Sequence, residues 1–272
     1  MLNVILPVLL ALAGGAGGRL VRRWELKSAF DAGGLPVPGA PASICLILLS
    51  VCLTLVLAAV CLRAKPLCKE NTIDLAGNGN WAHLVLCTLA AAHLLIASLF
   101  GLRNELTSGL MSPLHMILWL LCILSFVCVL SSSLAGFRGK PLNYNAALLA
   151  PAYAFCVWLV VLYQQQSAEP VRLIYVYRLL AVICALLAFY FAAGLSFRLP
   201  RPRLYVLFAL LGIYFGLIAL ADHPGRNTRL LLQFSMLYHT TNAVMLLWRM
   251  YIPVGKRVSP KTNKTQEVTP DE

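Results

Sequence analysis

Only 10 of the 272 residues are Asp or Glu, and none of them falls inside the long apolar runs that fill most of the chain. They stand at Glu25, Asp31, Glu70, Asp74, Glu105, Glu169, Asp222, Glu267, Asp271 and Glu272, in connecting segments, at run boundaries or in the tail. Proton and cation relays through membranes commonly rest on buried acids, and acid/base hydrolysis needs paired carboxyl groups. Their absence at depth argues against a carboxylate-driven transporter and against an intramembrane hydrolase of that type. Charge of either sign is scarce as well. Asp, Glu, Lys and Arg make up 12% of the sequence, against about 25% in ordinary soluble domains. Water is not the main solvent of such a chain.

What is present is hydrocarbon. Hydrophobic residues make up 60% of the sequence, and they gather into eight runs at 2–18, 42–62, 81–100, 113–136, 145–163, 173–197, 204–221 and 230–252. Each is roughly long enough, at 1.5 Å rise per residue, to cross about 30 Å of hydrocarbon as a helix. The expected fold is an all-α polytopic transmembrane bundle of eight spans over 1–252, followed by a disordered basic and polar tail over 253–272. Seven spans is the alternative, should 2–18 be removed or lie in the interface. Ala11-Leu12-Ala13 resembles a signal-peptidase site, but the basic segment that should precede it is missing. The loops are short, so consecutive spans are expected to pack as antiparallel neighbours.

The formal net charge is +12, yet the Lys and Arg residues lie in short loops and the tail, where they suit lipid headgroups and topology better than nucleic acid. The loops after even-numbered spans, with the tail and Arg249, hold more Lys and Arg than the loops after odd-numbered spans. The positive-inside rule therefore places both termini in the cytoplasm, although the first loop, with Arg19, Arg22, Arg23 and Lys27, dissents. That loop could extend the first helix along the membrane surface, with Trp24 at headgroup depth. Local punctuation follows ordinary rules. Pro41 suits a first helical turn. Asn78-Gly79-Asn80, Asn145 and Thr228 are candidate caps for the third, fifth and eighth spans.

Nine cysteines lack the C-x-x-C spacing of metal or redox sites and read as small packing residues. Gly14-Gly15-Ala16-Gly17-Gly18 lacks the lysine, the following hydroxyl residue and the preceding strand of a phosphate loop. Close helix packing explains it better. Ala181, Ala185, Ala188 and Ala192 in span six, with Ala209, Gly212, Gly216 and Ala219 in span seven, form small-residue seams that let backbones approach.

The polar groups left at membrane depth are imidazole and amide. In span three, His83, Cys87, Ala90, His93, Ala97 and Gly101 share a sector of about 120°. Span eight carries Ser235, His239, Asn242 and Arg249 on one side, with Gln233 and Thr240 on another. His93, His239, Asn242 and Gln233 could line a polar cavity for a solute. His93 and His239 could also ligate a haem, or simply hydrogen-bond between helices. Arg178 lies about two turns from Pro170, where it snorkels to the loop or meets an anionic headgroup or solute. Asp222-His223 with Arg226 reads as a turn held by local hydrogen bonds. No resident cofactor or metal site is expected.

The run Arg22-Arg23-Trp24-Glu25-Leu26, then Ala29-Phe30-Asp31, then Gly34-Leu35-Pro36-Val37-Pro38-Gly39-Ala40-Pro41-Ala42, resembles the first loop of a group of uncharacterised bacterial multi-pass membrane proteins. The likeness covers about a tenth of the chain and implies a bacterial plasma-membrane location, without catalytic residues. The expected function is that of a non-enzymatic integral membrane protein, its partners being the bilayer and another membrane protein or a second copy of itself. A small-solute permease is the alternative, and a haem carrier or other membrane enzyme the third reading.

Overall fold

The computed structural model describes residues 2–31, 35–64, 80–108, 112–138, 147–166, 175–196 and 201–251. Among them are eight helices: α1 (Leu2–Ser28), α2 (Pro41–Arg63), α3 (Trp81–Ser108), α4 (Pro113–Phe137), α5 (Leu149–Gln166), α6 (Val176–Ser196), α7 (Pro202–Ala219) and α8 (Arg226–Tyr251). A single 3₁₀ turn, Leu220–Asp222, joins the last two. The tail, Asn145 and Asn78-Gly79 lie outside the described residues.

Helix starts follow local chemistry. Pro41, Pro113 and Pro202 open their helices, where a missing N–H loses nothing because that donor has no partner within the helix. Asn80 caps α3, its Oδ1 accepting the N–H groups of Ala82 at 3.0 Å and His83 at 3.3 Å. Thr228 does not cap α8. The Gly225 carbonyl already accepts the Arg229 N–H at 2.9 Å, so the helix begins a turn earlier and Thr228 lies inside it. The segment after α1 also departs from expectation. α1 runs unbroken through Ser28 and does not turn along the surface, because Arg22 and Glu25 on its last turns are buried against other helices. The chain then doubles back, with Val37 donating to the Ala29 carbonyl.

Contacts between helix ends trace the path. Arg22, near the end of α1, meets Asp222 after α7 and Tyr177 at the start of α6. Phe100, near the end of α3, lies under Arg226 at the start of α8. His115, at the start of α4, meets Gln165 at the end of α5. All of these mark one face of the bundle, here the α1-end face. On the opposite face Trp81 packs on Phe137, and His83 reaches Asn242. The chain therefore alternates between faces eight times, and α1 starts where α8 ends. Seven of the helices are long and apolar enough to cross a membrane by length and composition. The shorter one is α5, not α1. Its 18 residues span about 27 Å, and its two ends lie at opposite faces.

α7 is the central helix, packed on α1, α2, α6 and α8. Its most apolar stretch is 78% buried, against 22% for α2. The glycine-rich part of α1 lets α7 in, since a Cβ on Gly15 would lie 2.6 Å from Leu217 and one on Gly18 2.8 Å from Ile218. The expected seam between α6 and α7 also forms, with Ala181, Ala185, Ala188 and Ala192 of α6 buried and the Gly212 Cα facing the Ala185 backbone. One expected neighbour pair is not a principal contact. α2 packs on α1 and α7, while α3 packs on α4 and α8, because the small-residue stripe of α3 is used on α8. Ile44, Ile47, Leu48 and Leu55 of α2, and Leu89, Ile96 and Leu99 of α3, point outward, as a helix solvated by lipid requires. Cys45, Cys52 and Cys156 are exposed as well and so do not pack the interior, whereas Cys61, Cys87, Cys122 and Cys184 do.

Candidate functional site

The α3–α8 interface holds a polar group buried from both solvents. Asn242 Nδ2 donates to the Tyr238 carbonyl at 2.8 Å within α8. A carbonyl can only accept, so the amide orientation is fixed and Asn242 Oδ1 is left facing His83 Nε2 at 3.2 Å. That nitrogen must carry the proton. Cys87, one turn along α3, has its Sγ 3.6 Å from the same Nε2, with Ser133 of α4 also beside it. A thiol, an imidazole and an amide together evoke an activated nucleophile. The donor accounting forbids it here, because the nitrogen beside the thiol is already protonated and cannot take the thiol's proton. The group is interhelical glue.

His93 and His239 meet different neighbours. His93 is half-buried, and its Nδ1–H donates to the Leu89 carbonyl of its own helix at 2.8 Å. The wheel alone does not explain this position: His93 and Cys87 stand at opposite rims of the α3 sector, 80° and 40° from His83 on either side, yet Cys87 is buried with Ala90 and Ala97. His239 is 1% exposed and packs on Phe189 of α6 at 4.3 Å and Tyr205 of α7 at 6.1 Å between ring centroids. Neither of its ring nitrogens makes a hydrogen bond of ordinary geometry, although the Ala185 backbone lies nearby. Gln233 is half-buried and stands on the opposite side of α8 from Asn242, nine residues and 180° away. Of the four residues expected to line one cavity, only Asn242 joins the α3–α8 polar group. Its principal partner is His83, whose place in the buried sector was the available signal.

A second buried polar cluster lies at the α1-end face. Arg22, 1% exposed, donates from Nη1 to Glu25 Oε2 at 2.7 Å and from Nε to Asp222 Oδ1 at 2.8 Å. Its guanidinium lies 5.0 Å from the centre of the Tyr177 ring. Asp222 is thus tied to a residue 200 positions away, not to a local turn. His223 beside it takes a left-handed φ of 48°, and Arg226 stacks on Phe100 at 3.8 Å. Arg178 is half-buried beside this cluster, with its Nε buried and without a hydrogen-bond partner. The expectation that no carboxylate enters a span fails at two helix ends: α1 and α3 outrun their apolar stretches and take in Glu25 and Glu105, and of these Glu25 is buried at the bundle edge, where Arg22 matches its charge.

Between α2 and α6 the bundle is not closed. Ile47, Ser50 and Thr54 of α2, with Tyr177 and Leu180 of α6, flank a cleft of about 350 Å³ with Phe215 of α7 as its floor. It opens sideways along the middle of α2, at the depth of the hydrocarbon. Ser50 is satisfied by the Tyr214 hydroxyl at 2.9 Å, so the remaining wall is almost entirely carbon. Among the described residues, no group of three or more His, Cys, Asp or Glu side chains could hold a metal ion. Comparison with protein-family models, with curated proteins and with solved structures finds no match to this chain.

Proposed function

We propose that this chain is a non-enzymatic integral membrane protein that binds or assembles with a partner inside the bilayer. The observation that carries this reading is the contrast between its polar interior and its open side. The hydrogen bonds at the α3–α8 and α1-end clusters are turned mainly on other groups of the same chain, while the α2–α6 cleft faces lipid. A permease with a cavity lined by His93, His239, Asn242 and Gln233 has less support, since those side chains engage different neighbours. A haem shared by His93 and His239 is weakened on the same ground. The first-loop resemblance favours a bacterial plasma membrane, and the distribution of Lys and Arg favours cytoplasmic termini.

The test is purification of the full chain from its own membrane in a mild detergent, followed by mass measurement of the intact complex. The expected result is one species, lipid, protein or second copy, at fixed stoichiometry with the chain. A bare chain recovered from several gentle solubilisations refutes the proposal. Loss of a solute uptake activity in a folded His239→Ala variant would favour the permease instead.

A further inference from the structure

We infer that the α5 flank of the bundle holds the bilayer locally thin, so that the lipid surface it fits is thinner than the one against α2 and α4. The inference does not depend on the reading above.

One contact allows the heights of α4 and α5 to be compared. Gln165, near the end of α5, bonds His115, near the start of α4, at 3.0 Å, and the two helices pack antiparallel from there. At 1.5 Å per residue the rise from His115 to Phe137 at the end of α4 is about 33 Å, and from Gln165 back to Leu149 at the start of α5 about 24 Å. α5 therefore stops about 9 Å short of its neighbour. A crossing angle of about 20° changes either height by about 2 Å and does not close the gap.

What faces outward differs in the same sense. On α4, Ile117, Leu120, Leu124, Val127 and Leu134 are exposed, an aliphatic stripe that needs hydrocarbon over about 25 Å. On α2 the exposed aliphatic side chains run from Ile44 to Leu62, about 27 Å. The exposed positions of α5 are Tyr153 at 61%, Cys156, Val160 and Tyr163 at 62%, followed by Gln164 and Gln165. Its aliphatic exposure is confined between two tyrosines about 15 Å apart. Tyrosine belongs at the membrane–water interface, with its ring among acyl chains and its hydroxyl in water. Tyr153 stands about 18 Å above Gln165, level with Val127, which has about 15 Å of α4 beyond it. Tyr190 of α6, 59% exposed, stands about 21 Å from the α6 start at the α1-end face, so adjacent helices hold two exposed phenols at nearly one level.

With Gln164 and Gln165 at one interface of an undeformed bilayer about 30 Å thick, both phenols would lie about 10 Å inside the hydrocarbon, where a hydroxyl without a partner is costly. Thinning by that amount brings them to the headgroups, and bilayers accommodate short spans in this way. A second copy of the chain seated on α5 would also cover the flank. Close approach of helices in lipid uses small residues, however, and this stripe is Tyr, Cys, Val and Tyr.

The experiment measures depth on the full chain in dioleoylphosphatidylcholine vesicles, with one nitroxide per chain in an otherwise cysteine-free background. The label sits at Tyr153→Cys, at Tyr190→Cys or at the level-matched Val127→Cys, so each tyrosine position is read with the other tyrosine in place. Relaxation by oxygen, which concentrates in hydrocarbon, is set against relaxation by a water-soluble nickel chelate. Both tyrosine positions should read as headgroup depth, with chelate collisions several-fold more frequent relative to oxygen than at Val127→Cys. Equal depth at all three positions would overturn the inference. A second measurement compares thermal unfolding midpoints in dimyristoleoyl and dioleoyl phosphatidylcholine. Tyr153→Leu with Tyr190→Leu should shift the preference toward the longer lipid relative to the wild type, because leucine is at home in hydrocarbon. An unchanged preference in the folded double variant would count against the inference equally. Stoichiometric disulfide cross-linking of two chains through Cys156, on the exposed stripe, would place a second copy on the flank and overturn it as well.

Discussion

Arg22 shows how a single side chain can be decisive and still look ordinary in a sequence. Beside Arg23, and following an apolar run, it has the context of a headgroup-facing basic residue. Its burial follows only when α1 packs against α7, because Asp222 is 200 residues away and nothing local announces the pair. Removing one partner of a buried ion pair strands the others, at a cost of about 3–5 kcal/mol. Arg22→Met is therefore expected to lower the thermal unfolding midpoint in detergent far more than Arg23→Met, which changes an exposed residue. Replacing two together as Arg22→Met and Glu25→Gln should recover most of the loss, since Asp222 keeps Arg178 as its counter-charge and no charge is left uncompensated. Equal effects of Arg22→Met and Arg23→Met would mean that the cluster is hydrated. The α3–α8 hydrogen bond is a smaller matter. Asn242→Leu is expected to cost about 0.6 kcal/mol and no more than about 1.7, and a double-mutant cycle with His83→Phe should show that the two residues share that cost. Additive effects would show that the 3.2 Å contact contributes nothing.

At the scale of elements, periodicity did most of the work where small residues were concerned. The spacing of Ala181, Ala185, Ala188 and Ala192 against Ala209, Gly212, Gly216 and Ala219 marks the α6–α7 interface because in lipid close backbone approach is itself the attraction. Gly212 gives this a graded test. A Cβ there meets Ala185 backbone atoms at 3.4 and 3.7 Å, which is ordinary contact, so Gly212→Ala should be nearly neutral. Gly212→Leu must push α6 away and should cost about 1–3 kcal/mol in detergent unfolding. Equal tolerance of both would mean that the two helices are not held at this distance. The same wheel arithmetic was less informative for histidine. His83 and His93 share the α3 stripe, and the wheel does not say which of its rims turns toward α8, so it does not separate a buried partner of Asn242 from a half-buried residue bonded to its own helix. Hydropathy cannot see that difference, and it cannot see a cleft between α2 and α6, two helices distant in sequence and brought together by α7.

For the whole molecule, the number of crossings turns on α5, the one helix too short to qualify by length and composition. Segment lengths leave the matter open, but contacts at the helix ends resolve it. If α5 did not cross, α6 would begin on the face opposite the end of α1. Tyr177 at the start of α6 instead lies 5.0 Å from the Arg22 guanidinium, and Gln165 at the end of α5 bonds His115 at the start of α4 at 3.0 Å. Eight crossings are what let the first and last helices share a face for their outer ends, and they set which loops share a compartment. In a cysteine-free background, Asn143→Cys before α5 and Ser167→Cys after it should react with a membrane-impermeant thiol reagent from opposite sides of sealed vesicles. A reporter fused after Pro260 should report the same side as Asn143→Cys, the cytoplasm if the charge distribution governs orientation. Labelling of both cysteines from one side would make α5 a re-entrant or interfacial segment. It would also require the Arg22–Tyr177 contact to be broken in the membrane, because a bundle with seven crossings cannot bring those two residues to one face.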